Sequence, residues 1–376
     1  MGHKLIHRTK KVPEQKMRDR LMNNFLKIQQ KLIPQVVEIM TKRYSILRQI
    51  YLCETIGRRS LAGVLKLSER VIRSETEVLR EQGLIKVETS GMTITEEGIE
   101  LLEQLKDTMN EVMGLSTLEE RLTQLLGIKK VILVPGDYEK NESILVDVAR
   151  SAASYFTHII QEDDIVSITG GTTMLEFSKG IKTDKKFENV TIVPARGSVG
   201  LDIEIQSNNI ASDMSKRLHS KYELLNLPDK LGKESMMMLA QEPEIKRTLD
   251  LVSNSNIVVF GVGRADEMIL KRNLPESKTQ EILDKGAIGE SFGYYFNQSG
   301  EIVYRLNTIG IDLESVKQAR NVIAVFAGSK KVEAFLAISK INENLVLVTD
   351  EHSGRKLIDL LKHQDEIKNQ EQDNEK

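Results

Sequence analysis

The sequence predicts an α/β protein built in two successive parts: an N-terminal all-α unit carrying a two-stranded wing, then an open, mostly parallel, doubly wound sheet. Three observations predict this. Charge is split along the chain, apolar residues recur first at helical spacing, and from about Leu118 short Ile/Val-rich runs alternate with helical stretches. With 376 residues, 40% of them hydrophobic, the chain can bury more than one core.

The formal net charge of −2 conceals an asymmetry. From Met1 to Ser60 there are 14 Lys and Arg against 4 acidic residues, so Leu61–Lys376 carries −12. A basic front joined to an acidic body suits a nucleic-acid-binding end attached to a part with another task. A single cysteine, Cys53, excludes an internal disulfide framework and a Cys-rich zinc site, and points to a reducing, cytoplasmic setting. No apolar run approaches the ~18–20 residues of a membrane helix, and the basic N-terminus lacks the apolar stretch of a signal peptide, so neither insertion nor export is expected.

Residues 1–33 read as a basic extension. Pro34 then opens a helix whose apolar positions Val37, Met40, Tyr44, Leu47, Ile50 and Tyr51 share a face, with Gly57 as its stop. A short helix over 60–65 and a longer one from Ser68 to Gln82 follow. Ser68 stands at the N-cap, and Val71, Ile72, Val78 and Leu79 form the buried face. Two alternating strands, Leu84–Val87 and Met92–Thr95, flank a turn at Ser90-Gly91. This order is that of a winged helix-turn-helix.

In that motif the second helix enters the DNA major groove, where Arg pairs with guanine and Glu accepts from cytosine. Glu69, Arg70, Arg73 and Ser74 lie on the polar face of that helix, with Arg70 and Arg73 the candidates for base contacts. Arg58 and Arg59, with Arg43 and Arg48, are placed for phosphates, and Ser68 completes the candidate set. Gly98–Gly114 is an acidic helix with Leu102, Leu105, Met109 and Val112 on one stripe. The stripe could pair two chains, as palindromic half-sites require, or pack against the chain's own next domain.

The remaining strands are expected over 130–134, 164–169, 190–193, 257–260, 322–326 and 345–348, with helices such as 143–160, 208–220 and 330–340 between them. Such sheets bind ligands beyond the carboxyl ends of their strands. Those ends read Thr169-Gly170-Gly171-Thr172-Thr173, Pro194-Ala195-Arg196-Gly197, Gly261-Val262-Gly263-Arg264, Ala327-Gly328-Ser329-Lys330-Lys331 and Thr349-Asp350. The first suits a phosphate best: glycines let backbone approach, threonines add hydroxyls and a helix begins there. Arg196 and Lys331 at neighbouring strand ends add cations. Gly261-Val262-Gly263 lacks the third glycine of a dinucleotide fingerprint, its place being held by Asp266. The six histidines are scattered, so neither a metal site nor a Ser-His-Asp set is expected. Glu290 could accept hydrogen bonds from sugar hydroxyls or stand as a solvated loop carboxylate.

Taken together, Ile56-Gly57-Arg58-Arg59-Ser60-Leu61, Leu67-Ser68-Glu69-Arg70-Val71, Gly91-Met92-Thr93-Ile94-Thr95, Thr169-Gly170-Gly171-Thr172-Thr173, Val193-Pro194-Ala195-Arg196-Gly197 and Gly293-Tyr294-Tyr295-Phe296, in this order, resemble the SorC family of sugar-sensing repressors. The resemblance runs from about Pro34 to Lys362. It implies a homo-oligomeric repressor of glycolytic genes that binds operator DNA and senses a sugar phosphate, fructose 1,6-bisphosphate, with no cofactor. It also implies an effector domain similar to sugar-phosphate isomerases and glucosamine-6-phosphate deaminases. By motif, Gly171, Thr172 and Thr173 would hold one phosphate with Arg196. Lys331 and a cation in Lys271-Arg272 would meet the other, while Gln206 and Glu290 would contact the sugar. The family favours Arg-Arg where this chain has Lys271-Arg272, which leaves open the cation for the second phosphate. The enzyme relatives carry a histidine after their Gly-x-Gly loop where this chain has Arg264-Ala265-Asp266-Glu267, so activity of that kind is not expected. The alternative is such an enzyme fused to a DNA-binding module, or a regulator answering to another phosphosugar. The expected organisation is thus a basic extension over 1–33, a winged helix-turn-helix over 34–97, a linker helix over 98–117, an effector domain over 118–362 and a disordered tail over 363–376.

Overall fold

The computed structural model describes residues 32–197, 202–227 and 232–374. The basic extension over 1–33 therefore lies almost wholly outside the described residues. The chain divides into two compact units, one ending at Ser116 and the other beginning at Thr117.

The first unit starts with α1 (Pro34–Cys53), α2 (Arg58–Leu65) and α3 (Glu69–Glu81). Pro34 takes the first turn of α1, where its missing N–H costs nothing. The helix stops at Cys53 rather than Gly57, because Glu54 turns to φ 57°, and Gly57 instead stands at the N-cap of α2. Lys66 ends α2 in the left-handed region, and Ser68 caps α3 by accepting from the Val71 amide at 3.3 Å. Strands β1 (Ile85–Glu88) and β2 (Gly91–Ile94) form the antiparallel wing, pairing Ile85 with Ile94. A bridge from Ile56 to Met92 ties the wing to the α1–α2 connection.

Helix α4 (Glu96–Val112) is capped by Thr95, whose hydroxyl accepts from the Gly98 amide. Its apolar stripe packs into the core of its own unit. Leu102 and Met109 are buried, and Leu105 and Val112 partly so, in one core with Tyr44, Leu47 and Ile50 of α1 and with Ile72, Leu79 and Met92. Three short helices and a two-stranded wing leave one side of α1 uncovered, and α4 supplies the missing layer. Gly98 lets the start of α4 lie close against the wing: a Cβ there would lie 2.3 Å from the Leu84 carbonyl oxygen and 2.8 Å from Ile94 Cγ1.

The second unit begins within α5 (Leu115–Leu126) and continues through β3 (Lys130–Val134), α6 (Ile144–Ile159), β4 (Ile165–Ile168), α7 (Thr172–Gly180), β5 (Thr191–Pro194), α8 (Ser207–Leu218) and β6 (Lys221–Tyr222). Then come α9 (Lys233–Leu239), α10 (Pro243–Ser253), β7 (Ile257–Gly261), β8 (Gly263–Arg264), α11 (Ala265–Lys271), α12 (Glu276–Asp284), β9 (Ala287–Ser291), β10 (Tyr294–Asn297) and β11 (Ile302–Arg305). The chain closes with α13 (Leu313–Gln318), β12 (Asn321–Val325), α14 (Val332–Ile338), β13 (Leu345–Asp350) and α15 (Glu351–Asn374).

Seven parallel strands form the main sheet in the order β3-β13-β12-β7-β4-β5-β6. Both faces are covered. Ile257 and Val259 of β7 join Val166, Ile168, Phe156 and Phe177 in one core, while the alternate residues Val258 and Phe260 are equally buried outside that cluster. The open parallel sheet predicted from the Ile/Val runs is therefore present. A second, four-stranded antiparallel sheet, β11-β10-β9-β8, was not predicted. It packs α11 and α12 around Tyr295, and the Phe260–Phe292 ring pair, 4.9 Å between centroids, joins it to the end of β7.

The tail expected to be disordered over 363–376 is helical as far as Asn374, the last described residue. Its polar composition prompted the expectation. Glu, Gln and Lys are nevertheless good helix formers, and no Gly or Pro follows Gly354 to break a helix already begun at Glu351.

The close approach at Gly98 yields a stability prediction. Gly98→Ala should lower the urea midpoint of the first unit and cost about 1–3 kcal/mol, because the added methyl meets backbone that cannot retreat. Equilibrium unfolding followed by circular dichroism measures it.

Candidate functional site

Each unit carries a candidate surface. In the first, the polar side of α3 presents Glu69, Arg70, Arg73 and Ser74 to solvent. Arg59 is exposed and lies 3.6 Å from Glu69, while Arg58 is partly buried at the start of α2. Arg43 donates through Nε to Glu75 Oε2 at 2.8 Å and so joins α1 to α3. The Ser68 hydroxyl oxygen serves the helix cap. Arg70 and Arg73 thus keep the placement a major-groove reader needs: in the first turns of α3 and outside the core.

In the second unit a cavity of about 390 Å³ opens beyond the carboxyl ends of β4, β5, β7 and β12. It sits where the strand order reverses. From β4 the chain proceeds outward to β5 and β6, then returns to place β7 on the other side of β4 and moves on to β12. All nine predicted effector residues line it: Gly171, Thr172, Thr173, Arg196, Gln206, Lys271, Arg272, Glu290 and Lys331. Residues the sequence reading did not single out also line it, notably Asp202, Glu267, Met268, Ser291 and Phe292. The last two come from the unpredicted antiparallel sheet, and Glu267 and Met268 from the helix packed beside it.

The loop after β4 is held by its glycines. A Cβ on Gly170 would stand 2.7 Å from the Ile205 carbonyl oxygen, and Gly171 adopts φ 116° at the N-cap of α7. The Gly171 amide donates to Ile205 at 2.8 Å, so it does not face an anion as expected of a phosphate loop. Gly171 contributes its backbone conformation and open space instead, and the orphan amides of the first turn of α7 are left for a ligand. Thr173 is buried and Thr172 exposed. Gln206 stands at the N-cap of α8, adjacent to the Ile205 carbonyl that fixes the glycine loop.

Cations arrive from three directions. Arg196, after β5, is 6% exposed and pressed between glycines: a Cβ on Gly293 would lie 3.3 Å from its guanidinium carbon, and one on Gly310 3.1 Å from its Cγ. Lys271 and Arg272 end α11 on opposite terms, Lys271 exposed and Arg272 buried. Lys331 follows β12 in a short 3₁₀ turn. Glu290 Oε1 accepts from Arg272 Nη2 at 2.9 Å, from the Gly293 amide at 2.8 Å and from Arg196 Nη1 at 3.4 Å. It is therefore not a solvated loop carboxylate. Burial, with the Glu290 carboxylate close by, pushes the Tyr295 phenol well above its ordinary pKa. Burial also lowers the Lys331 pKa, the Lys271 and Arg264 charges add to this, and Glu267 opposes it. Such a group of cations over a helix N-terminus can bind a doubly charged anion, and the polar lining between them suits a hydroxylated one.

No histidine lines the cavity among the described residues. Asp137, Glu139 and His352 come near one another elsewhere, but Asp137 is already ion-paired with Lys140.

Two family models match the chain, a CggR N-terminal DNA-binding domain over residues 39–109 and a sugar-binding domain over 110–359. The chain accordingly belongs to the SorC family of sugar-binding transcriptional regulators, a class of DNA-binding switches and not of enzymes. Within it the chain groups with the central glycolytic genes regulators. It is 39% identical to the protein of that name from Bacillus subtilis, over 90% of this chain and 99% of the relative, and 38% identical to that from Priestia megaterium over the same shares. Among solved structures, a SorC family transcriptional regulator from Enterococcus faecalis matches 64% of this chain and 99% of its own, at 29% identity and TM-score 0.60. The full-length sorbitol operon regulator SorC from Klebsiella pneumoniae, at 18% identity, shares the fold over 90% of this chain and 98% of its own, with TM-score 0.61.

The electrostatics of Lys331 predict a pH dependence. An ammonium of lowered pKa sheds its proton at lower pH than an exposed lysine, and only the cation attracts an anion. Affinity for inorganic phosphate should therefore fall as pH rises through that lowered value. Lys331→Met should bind more weakly near neutrality and lack this alkaline limb. Calorimetric titration over about pH 7 to 10 checks both.

Proposed function

We propose that this chain is a homo-oligomeric, cytoplasmic repressor of central glycolytic genes whose hold on operator DNA is weakened when fructose 1,6-bisphosphate occupies the second unit. The observation that carries the reading is the convergence of Thr172, Thr173, Arg196, Lys271, Arg272 and Lys331 on one cavity. One phosphate would rest on the first turn of α7 with Arg196. The other would meet Lys331 and Lys271, the exposed member of the Lys271-Arg272 pair. Gln206 would face the sugar. The names of the relatives support the gene class, and the winged helix supplies the DNA contact through Arg70 and Arg73, with Arg58 and Arg59 on phosphates. Among the described residues no helix is long and apolar enough to cross a membrane.

For the effector to release DNA it must bind more tightly to the arrangement of protomers that grips the operator less well. Gel-shift titration with operator DNA should show weaker binding in the presence of fructose 1,6-bisphosphate. Thr172→Val with Arg196→Ala should abolish both that shift and the thermal stabilisation by the sugar. Unchanged operator affinity in the wild type would overturn the effector assignment, and another phosphosugar acting in its place would redirect it. Arg73→Ala should cost about 1–3 kcal/mol of specific binding while leaving non-specific binding nearly intact, as base contacts do. Equal losses on both DNAs would make Arg73 a phosphate contact.

A further inference from the structure

Resting on the reading of the cavity as a phosphosugar site, we propose that Glu290 is a positioning residue that acts on the effector through Arg196 and Arg272, setting the strength of an anion clamp. Its carboxylate is 4% exposed, and a single oxygen, Oε1, accepts from both guanidinium groups and from the Gly293 amide. Two buried arginines without a counter-ion would carry a large desolvation penalty and repel each other. One carboxylate between them offsets part of that penalty, orients both forks and, within the trio, sets one negative charge against their two positive ones. An anion entering the cavity meets donors already oriented, with their attraction reduced by the carboxylate they share. The rest of the cradle is built to hold this arrangement. The Gly293 amide that bonds Glu290 belongs to the glycine whose missing side chain makes room for the Arg196 guanidinium, and Gly310 clears the stem of the same arginine.

Affinity should then follow the formal charge of the trio rather than the presence of Glu290 itself. The test uses the full chain and inorganic phosphate, which has no sugar hydroxyls, with fructose 1,6-bisphosphate alongside. Glu290→Gln keeps an acceptor but raises the trio to two positive charges, and should bind phosphate roughly tenfold more tightly than wild type. Its ligand-free melting temperature should be lower, and saturating phosphate should raise it by more than in wild type. Arg272→Met should bind roughly tenfold more weakly, and Arg272→Met with Glu290→Gln, which restores one net charge, should return to within about threefold of wild type. Should Glu290→Gln not yield folded protein, the last two variants carry the same comparison.

A carboxylate that contacts the sugar alone would leave phosphate affinity unchanged on Glu290→Gln and weaken only the bisphosphate. A merely structural one would make the double variant the weakest of the series. Either result overturns the proposal. If the wild type binds the ligands and the charge order fails, the cavity assignment stands and Glu290 loses this role. If the wild type binds neither phosphate nor fructose 1,6-bisphosphate, both fall together.

Discussion

A parallel sheet buried on both faces constrains everything else in the second unit. Val258, Val259, Phe260, Val322, Ile323, Val346 and Leu347 are all fully buried, so neither face of the sheet can carry chemistry. Backbone that emerges from such a sheet must find partners in the loops at its ends. The Gly171 amide reaches Ile205, the Asp350 carboxylate accepts from the Gly328 amide and from Ser353, and Gly197 bonds to Ile309. These bonds pin the described backbone where it leaves the strands. The cavity is thus a consequence of strand order: β4 and β7 are neighbours whose connections leave in opposite directions, and the loops part between them.

Such pinning matters because a regulator needs a ligand to distinguish two states of the protein, not merely to bind. A cavity that reorganised freely would spend the binding energy of a small anion on ordering itself. Here the cost has been met within the fold. Glycines at 170, 293 and 310 let the backbone and Arg196 approach closely, and Glu290 pairs with two buried cations. What a phosphosugar contributes on arrival can then favour one arrangement of the protomers over another, and by linkage operator DNA must disfavour the sugar to the same degree.

Much of this was legible in the sequence, for reasons that differ by element. The six long strands of the main sheet were readable because burial on both faces leaves uninterrupted Ile and Val. Helix α3 was readable because Ser68 caps it and its apolar residues Val71, Ile72, Val78 and Leu79 fall on one face two turns apart. Gly171, Thr172, Thr173, Arg196 and Lys331 were readable because they follow strand ends near a reversal of strand order, whereas Gln206, Lys271 and Arg272 were supplied by the family resemblance alone. The antiparallel sheet was not legible. Strand β8 is two residues long, β9 reads Ala-Ile-Gly-Glu-Ser with no alternation, and its pairing with β10 is bulged. Nor was the state of Glu290 or the use of the Gly171 amide, since each depends on a partner far away in sequence: Arg196 is 94 residues from Glu290, and Ile205 lies in the loop that precedes α8. The stripe on α4 was read correctly as apolar, but periodicity states that a face is buried and not against what. The answer lay in α1, whose Tyr44, Leu47 and Ile50 needed a cover.

The opposed charges of the two ends acquire a physical meaning in this light. A body carrying −12 creates a field that repels small anions, so an anion site within it must gather its cations locally and shield them from the acids nearby. Burial does this for Arg196 and Arg272, both of which are held on Glu290. Lys331 shows the cost of the same strategy, since removal from water and the neighbouring cations weaken its hold on its own proton. An arginine keeps its charge under those conditions, whereas a lysine holds its proton less firmly. The cavity accordingly combines two kinds of cation: a pair of guanidinium groups fixed on Glu290, whose charge is constant, and a lysine whose charge is best sustained when an anion lies beside it.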